Sequence, residues 1–301
     1  MIGVPREAAL GRTAADGRKG GGWVTALLAA PGFVWLAFFL IAPLVFIVLV
    51  SFWTRTDTGF VRHWTTANYT ELFHDSTYWH NMLTSFETSL IAVVVCLILG
   101  FPVAYFLAMK VVNIKYQIAL FVLALAPFWT SFLIRAVAWT YPVMGREGAL
   151  NQVLMKLHVV SEPVSQFGFS TLSVRVAMVQ LYILFMITPL FFMLAQVDRH
   201  SLESARDLGA NSVKTFFEVI LPQTMPGIVI GSIFIFVLTM GEYGTVRVIG
   251  SGNVTSIGTI VETKTESIQY PQAAASAVIL VAVLIAGVFA ITRFSNLRED
   301  I

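Results

Sequence analysis

Two strongly charged side chains sit inside long apolar runs: Arg135 and Glu242. Ionisable groups at membrane depth are costly, face a bundle interior or a watery path, and mark routes for ions or substrates. If the run holding Arg135 is a helix entering from the inner side near Ile118, Arg135 lies about 26 Å along it at 1.5 Å per residue. A helix entering near Ile228 puts Glu242 about 21 Å along its run. Both then fall in the outer half, where they pair or line one outward cavity. For Arg135 a third outcome is snorkelling to the outer interface. Trp129, Trp139 and Tyr243 lie at similar depth and offer ring faces suited to a cation. The candidate pathway or gate residues are therefore Trp129, Arg135, Glu242 and Tyr243.

Other chemistry is missing from the sequence. A phosphate-cradling loop needs G-x-x-x-x-G-K-[ST] between a strand and a helix. The nearest imitation, Gly11–Gly20, lacks that spacing, a hydroxyl after Lys19 and a preceding strand. The chain is not expected to hydrolyse ATP or to carry a cofactor of its own. No Gly-x-Ser-x-Gly elbow occurs, and Cys96 is the single cysteine, which excludes a disulfide framework within the chain. The histidines, His63, His74, His80, His158 and His200, show no metal-binding pattern. No catalytic residue and no metal ligand is assigned. A net charge of +2 gives no basis for nucleic-acid binding.

The elements that carry the charged pair are spans. The 301 residues are 57% hydrophobic and only 12% charged, with a mean hydropathy of +0.78. The apolar excess is concentrated in six runs, each long enough to cross a bilayer as a helix. They are Trp23–Phe52, Ser89–Met109, Ile118–Tyr141, Val176–Val197, Ile228–Val246 and Ala273–Ile291. Pro43, Pro102, Pro127 and Pro189 predict kinks within them. Residues 1–22 read as a polar, disordered cytoplasmic tail, 23–293 as a six-span domain and 294–301 as a short cytoplasmic tail. Lys and Arg favour cytoplasmic loops. With the N-terminus inside, eleven of the nineteen fall in inner segments and seven in outer ones. Both termini are therefore expected in the cytoplasm. The outer connections are long and aromatic; one, Pro142–Arg175, holds a short helix at Ala149–Leu157. Gly227 and Gly231, four apart, predict close helix packing.

One polar stretch interrupts the apolar second half, Ser201–Pro222. Ser201 is a candidate N-cap, Leu202, Ala205 and Leu208 share a side, and Gly209 suits a left-handed C-cap. Asn211 or Ser212 caps a second helix with an apolar stripe at Val213, Phe216, Phe217 and Ile220, which Pro222 ends. Two short helices joined by a glycine are expected to lie across the inner surface. Ala205 and Gly209 leave a slim face for close approach of another protein, and Glu203 stands at its edge.

This stretch resembles the EAA loop of ABC-importer permeases, EAA-x3-G-x9-I-x-L-P. Glu203, Ala205, Gly209, Leu221 and Pro222 match in register; Ser204 and Val219 are small or isosteric replacements. The resemblance implies the type I importer permease fold: all-α, six transmembrane helices, with a coupling-helix hairpin at 198–222 between the fourth and fifth spans. It implies that Leu202, Glu203, Ala205, Asp207, Gly209, Phe216, Leu221 and Pro222 dock an ATPase subunit. It also implies as partners a homologous permease, an ABC ATPase dimer holding ATP and Mg, and an extracytoplasmic substrate-binding protein, in a bacterial cytoplasmic membrane. The run Ala126–Arg135 (APFWTSFLIR) is similar to a signature of spermidine/putrescine-type permeases. Gly148–Asn151 and Leu221–Gly227 fit that branch. Gly241-Glu242-Tyr243-Gly244 also resembles sulfate-type permeases, which leaves sulfate or another anion as the main rival cargo, beside another small solute such as an amino-acid derivative. An ion-coupled secondary transporter is the rival of another class; it would show inverted repeats.

Overall fold

The computed structural model describes residues 22–56 and 59–299. The tail expected over 1–22 lies outside the described residues, save Gly22 at the start of the first helix. Two compact units divide the chain, residues 1–50 and 51–301. The first unit contributes helix α1, Gly22–Leu36, continued through a wide π turn at Ala37–Ile41 into Ala42–Ser51. Proline clashes with the carbonyl four residues before it. For Pro43 that carbonyl belongs to Phe39, inside the widened turn, so the helix continues.

The second unit opens with a β-hairpin, β1 (Trp53–Thr56) and β2 (Gly59–Trp64), pairing Thr54 with Val61 and Arg55 with Phe60. Helix α2 (Ala67–His74) follows, then α3 (Ser76–Lys110). The hairpin, α2 and the early start of α3 make up the long aromatic outer connection expected before Ser89. Asp75 explains that start: its carboxylate accepts the amides of Thr77 at 2.9 Å and Tyr78 at 3.2 Å.

Helix α4 (Ile114–Trp129) and α5 (Phe132–Ala138) meet at an 86° bend. Helix α6 (Ala149–Lys156) lies in the following connection, as its sequence suggested. Asn151, fully buried, ties this connection down, donating to Gly145 O at 3.2 Å and accepting the Val164 amide at 2.9 Å. Helix α7 (Thr171–Ala195) is unbroken. Helix α8 (Arg199–Asp207) precedes α9 (Ser212–Met240), which leads to α10 (Gly244–Gly250), α11 (Ile257–Glu266) and α12 (Tyr270–Glu299). Among the described residues five helices are long and apolar enough to cross a membrane, six when the bent pair α4–α5 is counted as one broken span. The C-terminal tail expected over 294–301 is helical to Glu299, an extension of α12.

The core is the packing of α3, α7 and α9, with Cys96, Ala177, Met186, Leu190, Leu194 and Ile235 sealed from solvent. Cys96 is a packed thiol 3.7 Å from Val179 O. A Cβ on Gly227 would meet Pro189 O at 3.0 Å, and one on Gly231 would meet Met186 Cα at 3.1 Å. The two glycines thus let α9 touch the backbone of α7, as their spacing predicts. A smaller second cluster joins Leu72, Tyr78, Met82, Met240, Ile257 and Ala275.

Candidate functional site

Two breaks in otherwise apolar spans build the site. The first follows Pro127, in a tight turn at Ala126–Trp129. The Thr130 amide and hydroxyl both bond to Pro127 O, at 3.2 and 2.7 Å, and Thr130 and Ser131 are extended before α5 begins. The second break is Gly241–Tyr243, between α9 and α10. Irregular backbone at such depth occurs where protein buries it or where it lines a cavity. A Cβ on Gly258 would meet Gly241 O at 2.6 Å, so only glycine lets α11 press against this break. Ser256 completes the clamp, its hydroxyl donating to Glu242 O at 3.0 Å.

Glu242 therefore lies outside any helix, which corrects its expected place within a span running to Val246. Its carboxylate accepts the Tyr182 hydroxyl at 2.5 Å and the Thr245 amide at 2.7 Å. Arg135 does not sit on one straight helix either; the bend at Thr130–Ser131 invalidates a depth counted from Ile118. Its guanidinium carbon lies 5.3 Å from the Phe128 ring centroid. No ion pair joins Arg135 to Glu242 among the described residues.

Aromatic rings surround these groups. Phe132 lies 6.1 Å from Tyr182, Phe185 lies 6.3 Å from Tyr182, and Phe128 lies 5.2 Å from Phe185, centroid to centroid. Trp129 and Tyr243, expected here, are 80% and 51% exposed. Phe128, the neighbour of Trp129 on the tight turn, is the ring that lies against Arg135. Among the described residues, the buried side-chain polar atoms lacking a hydrogen-bond partner are Arg135 Nε and Nη1, Gln180 Oε1 and Thr245 Oγ1. All belong to α5, α7 and α10, the elements that frame the site. Buried groups of this kind are rare and call for a reason.

The polar stretch forms a second site. Helix α8 begins at Arg199, with Asp198 rather than Ser201 as its N-cap. The Asp198 carboxylate accepts the His200 amide at 3.0 Å and the Ser201 hydroxyl at 3.2 Å, and the amide chiefly holds its pKa below the usual range. Gly209 has φ +79°, with its amide on Arg206 O at 2.8 Å and the Ala210 amide on Ala205 O at 2.9 Å. That is a Schellman cap, and glycine fits its left-handed position. Nothing approaches within 4 Å of a Cβ built there, so the slim face is open.

Asn211 caps the second helix, accepting the Lys214 amide at 2.8 Å. That helix does not stop at Pro222. A wide turn at Phe216–Ile220 holds Glu218, whose carbonyl Pro222 would strike, and the helix runs on as α9. The same turn splits the expected stripe. Phe216 and Ile220 pack inward, with Phe216 5.4 Å from Phe101, while Val213 and Phe217 are exposed. Leu202 packs on the core and Ala205 is half-buried; Leu208, expected beside them, is 88% exposed. Glu203, Asp207 and Pro222 are exposed and Leu221 is half-buried. A cavity of about 660 Å³ lies behind the hairpin, lined in part by Lys110, Leu202, Arg206 and Thr215.

Tyr182 was not singled out by sequence; Phe128 and Phe132 fell in the signature-like run Ala126–Arg135 without a role of their own, which the breaks give them. No group of His, Cys, Asp and Glu able to hold a metal occurs among the described residues.

Residues 100–299 match the family described as binding-protein-dependent transport system inner membrane component. The Spermidine/putrescine transport system permease protein PotB of Escherichia coli (strain K12) is 35% identical over 252 residues, covering 83% of this chain and 90% of the relative. PotB of Haemophilus influenzae is 35% identical over 233 residues, covering 77% and 80%. A bacterial alginate ABC transporter, solved in complex with an alginate pentasaccharide-bound periplasmic protein, superposes with a TM-score of 0.64 at 15% identity. It covers 91% of this chain and 94% of its own, which shows the fold. The chain therefore has the type I importer permease fold, is a multi-pass inner-membrane protein, and belongs to the binding-protein-dependent transport system inner membrane component family.

Proposed function

We propose that this permease forms, with a homologous partner permease, the path by which polyamines such as spermidine and putrescine enter the cell. An extracytoplasmic substrate-binding protein delivers the cargo. A separate ABC ATPase dimer, holding ATP and Mg, drives the cycle through Leu202, Glu203, Ala205, Asp207, Gly209, Phe216, Leu221 and Pro222. The chain itself is non-catalytic and holds no cofactor. Both termini face the cytoplasm.

The observation that carries this reading is the 35% identity, over 252 residues, to a permease that bears spermidine and putrescine in its name. The site agrees with it: Glu242 is a carboxylate among aromatic rings, not paired to arginine. Physically, the hairpin suits force transfer. Its second helix is continuous with a spanning helix, so a push at Gly209 moves the whole of α9. The test is uptake of labelled spermidine into proteoliposomes holding the complete transporter. Uptake should need ATP inside and the binding protein outside. Uptake of sulfate but not spermidine would replace the cargo; uptake that outlasts ATP depletion with the proton gradient intact would replace the mechanism.

A further inference from the structure

We propose that Tyr182 is a positioning residue that withholds the Glu242 carboxylate from Arg135, keeping its negative charge free for an ammonium group of the cargo. This rests on the polyamine reading above. A guanidinium and a carboxylate on neighbouring packed elements ordinarily form a short, often bidentate pair. Here they do not, although Arg135 Nε and Nη1 are buried with no acceptor. Charged donors left unmet in the interior are expensive. Something must hold the carboxylate elsewhere.

Two donors do so. The Tyr182 hydroxyl reaches Oε2 at 2.5 Å and the Thr245 amide reaches Oε1 at 2.7 Å. Tyr182 stands on the unbroken α7, the most buried of the spanning helices. The Glu242 backbone is fixed from the other side by Ser256 and by the contact of Gly258 with Gly241 O. Arg135 is left stacked on Phe128. A carboxylate bound to a neutral phenol and an amide keeps its full charge, and its remaining lone pairs accept further donors. The rings of Phe132 and Tyr182 add faces that attract a cation. Arg135 Nε and Nη1 are sealed from solvent, so an anionic cargo group cannot reach those two donors.

The test is suppression. In the complete reconstituted transporter, Tyr182→Phe should raise the KM for spermidine about tenfold, the scale of one charge-assisted contact, because Arg135 captures the carboxylate. Adding Arg135→Gln should return KM to within about twofold of wild type, and Glu242→Gln should abolish that recovery. A Tyr182→Phe protein with wild-type KM, or a double variant no better than Tyr182→Phe alone, overturns the proposal. A cargo-independent arm uses thermal unfolding of the purified complex. Arg135→Gln and Glu242→Gln should be additive with Tyr182 present and non-additive in Tyr182→Phe. Non-additivity of that kind with no spermidine uptake by the wild-type transporter would sink the polyamine reading and keep the positioning role; with normal spermidine uptake by Glu242→Gln it would overturn the cargo role of the carboxylate. Additivity in both backgrounds sinks the positioning role whatever the cargo.

Discussion

The Tyr182 hydroxyl and the Glu242 carboxylate, 2.5 Å apart, join the unbroken fourth span to the break in the fifth. Around them, Phe128, Phe132 and Arg135 arrive from the two sides of the break in the third. A site made from two interrupted helices and one continuous helix has a rigid side and two hinged sides. Rocking of α9, driven from the hairpin, would act on the hinged sides while α7 holds the carboxylate. Glu242→Gln should therefore impair spermidine uptake while the chain still co-purifies with its partner permease. Unchanged uptake kinetics would remove Glu242 from the path.

The seam between α7 and α9 is too close for side chains at Gly231. A Cβ there meets Met186 Cα at 3.1 Å and Phe185 O at 3.2 Å, atoms that cannot rotate away. Gly231→Leu should destabilise the protein by about 1–3 kcal/mol or more, as overpacked cores do. A lower midpoint of thermal unfolding in detergent checks this. Trimming Met186 to alanine should not restore it, because the obstruction is backbone.

Lys264 gives a pH dependence of known sign. Burial chiefly lowers its pKa below the ordinary 10.5, against the opposing pull of Asp75 and Glu71. A lysine depressed in the folded state binds fewer protons there than when unfolded. Its contribution is full above 10.5 and is lost as pH falls through the depressed folded value. Between those points, stability from this group rises with pH. The difference in unfolding midpoint between wild type and Lys264→Met should therefore shift in favour of wild type as pH is raised toward 10.5. A difference that stays constant with pH would refute the assignment.

Much of this was legible in the sequence, and what was not has physical causes. Runs of apolar residues mark spans because lipid tolerates nothing else, and Gly209 marks a left-handed cap because its φ of +79° is costly for other residues. The 86° bend at Thr130–Ser131 was hidden, since Pro127 promises a kink without fixing its size. The expected stripe from Val213 to Ile220 assumed an unbroken 3.6-residue period. One extra residue in the wide turn at Phe216–Ile220 advances the phase by about 100°, which separates Phe217 from Phe216 and Ile220. Tyr182 was invisible because a tyrosine in an apolar run carries no mark of the carboxylate it meets sixty residues later.

The last prediction concerns the hairpin. Space around Gly209 is open in the isolated chain, so within the chain only its φ of +79° favours glycine, and a docked partner would add a second reason. Gly209→Ala meets no neighbour but must adopt φ near +79°, at about 1–2 kcal/mol, and should weaken the cap without blocking a docking surface. Gly209→Glu adds bulk and charge at the same point. It should abolish co-purification of the ATPase while the chain still inserts and pairs with its partner permease. If Gly209→Ala and Gly209→Glu lose the ATPase equally, the cap alone explains the loss. If Gly209→Glu retains the ATPase at the wild-type level, the hairpin is not where the ATPase is held.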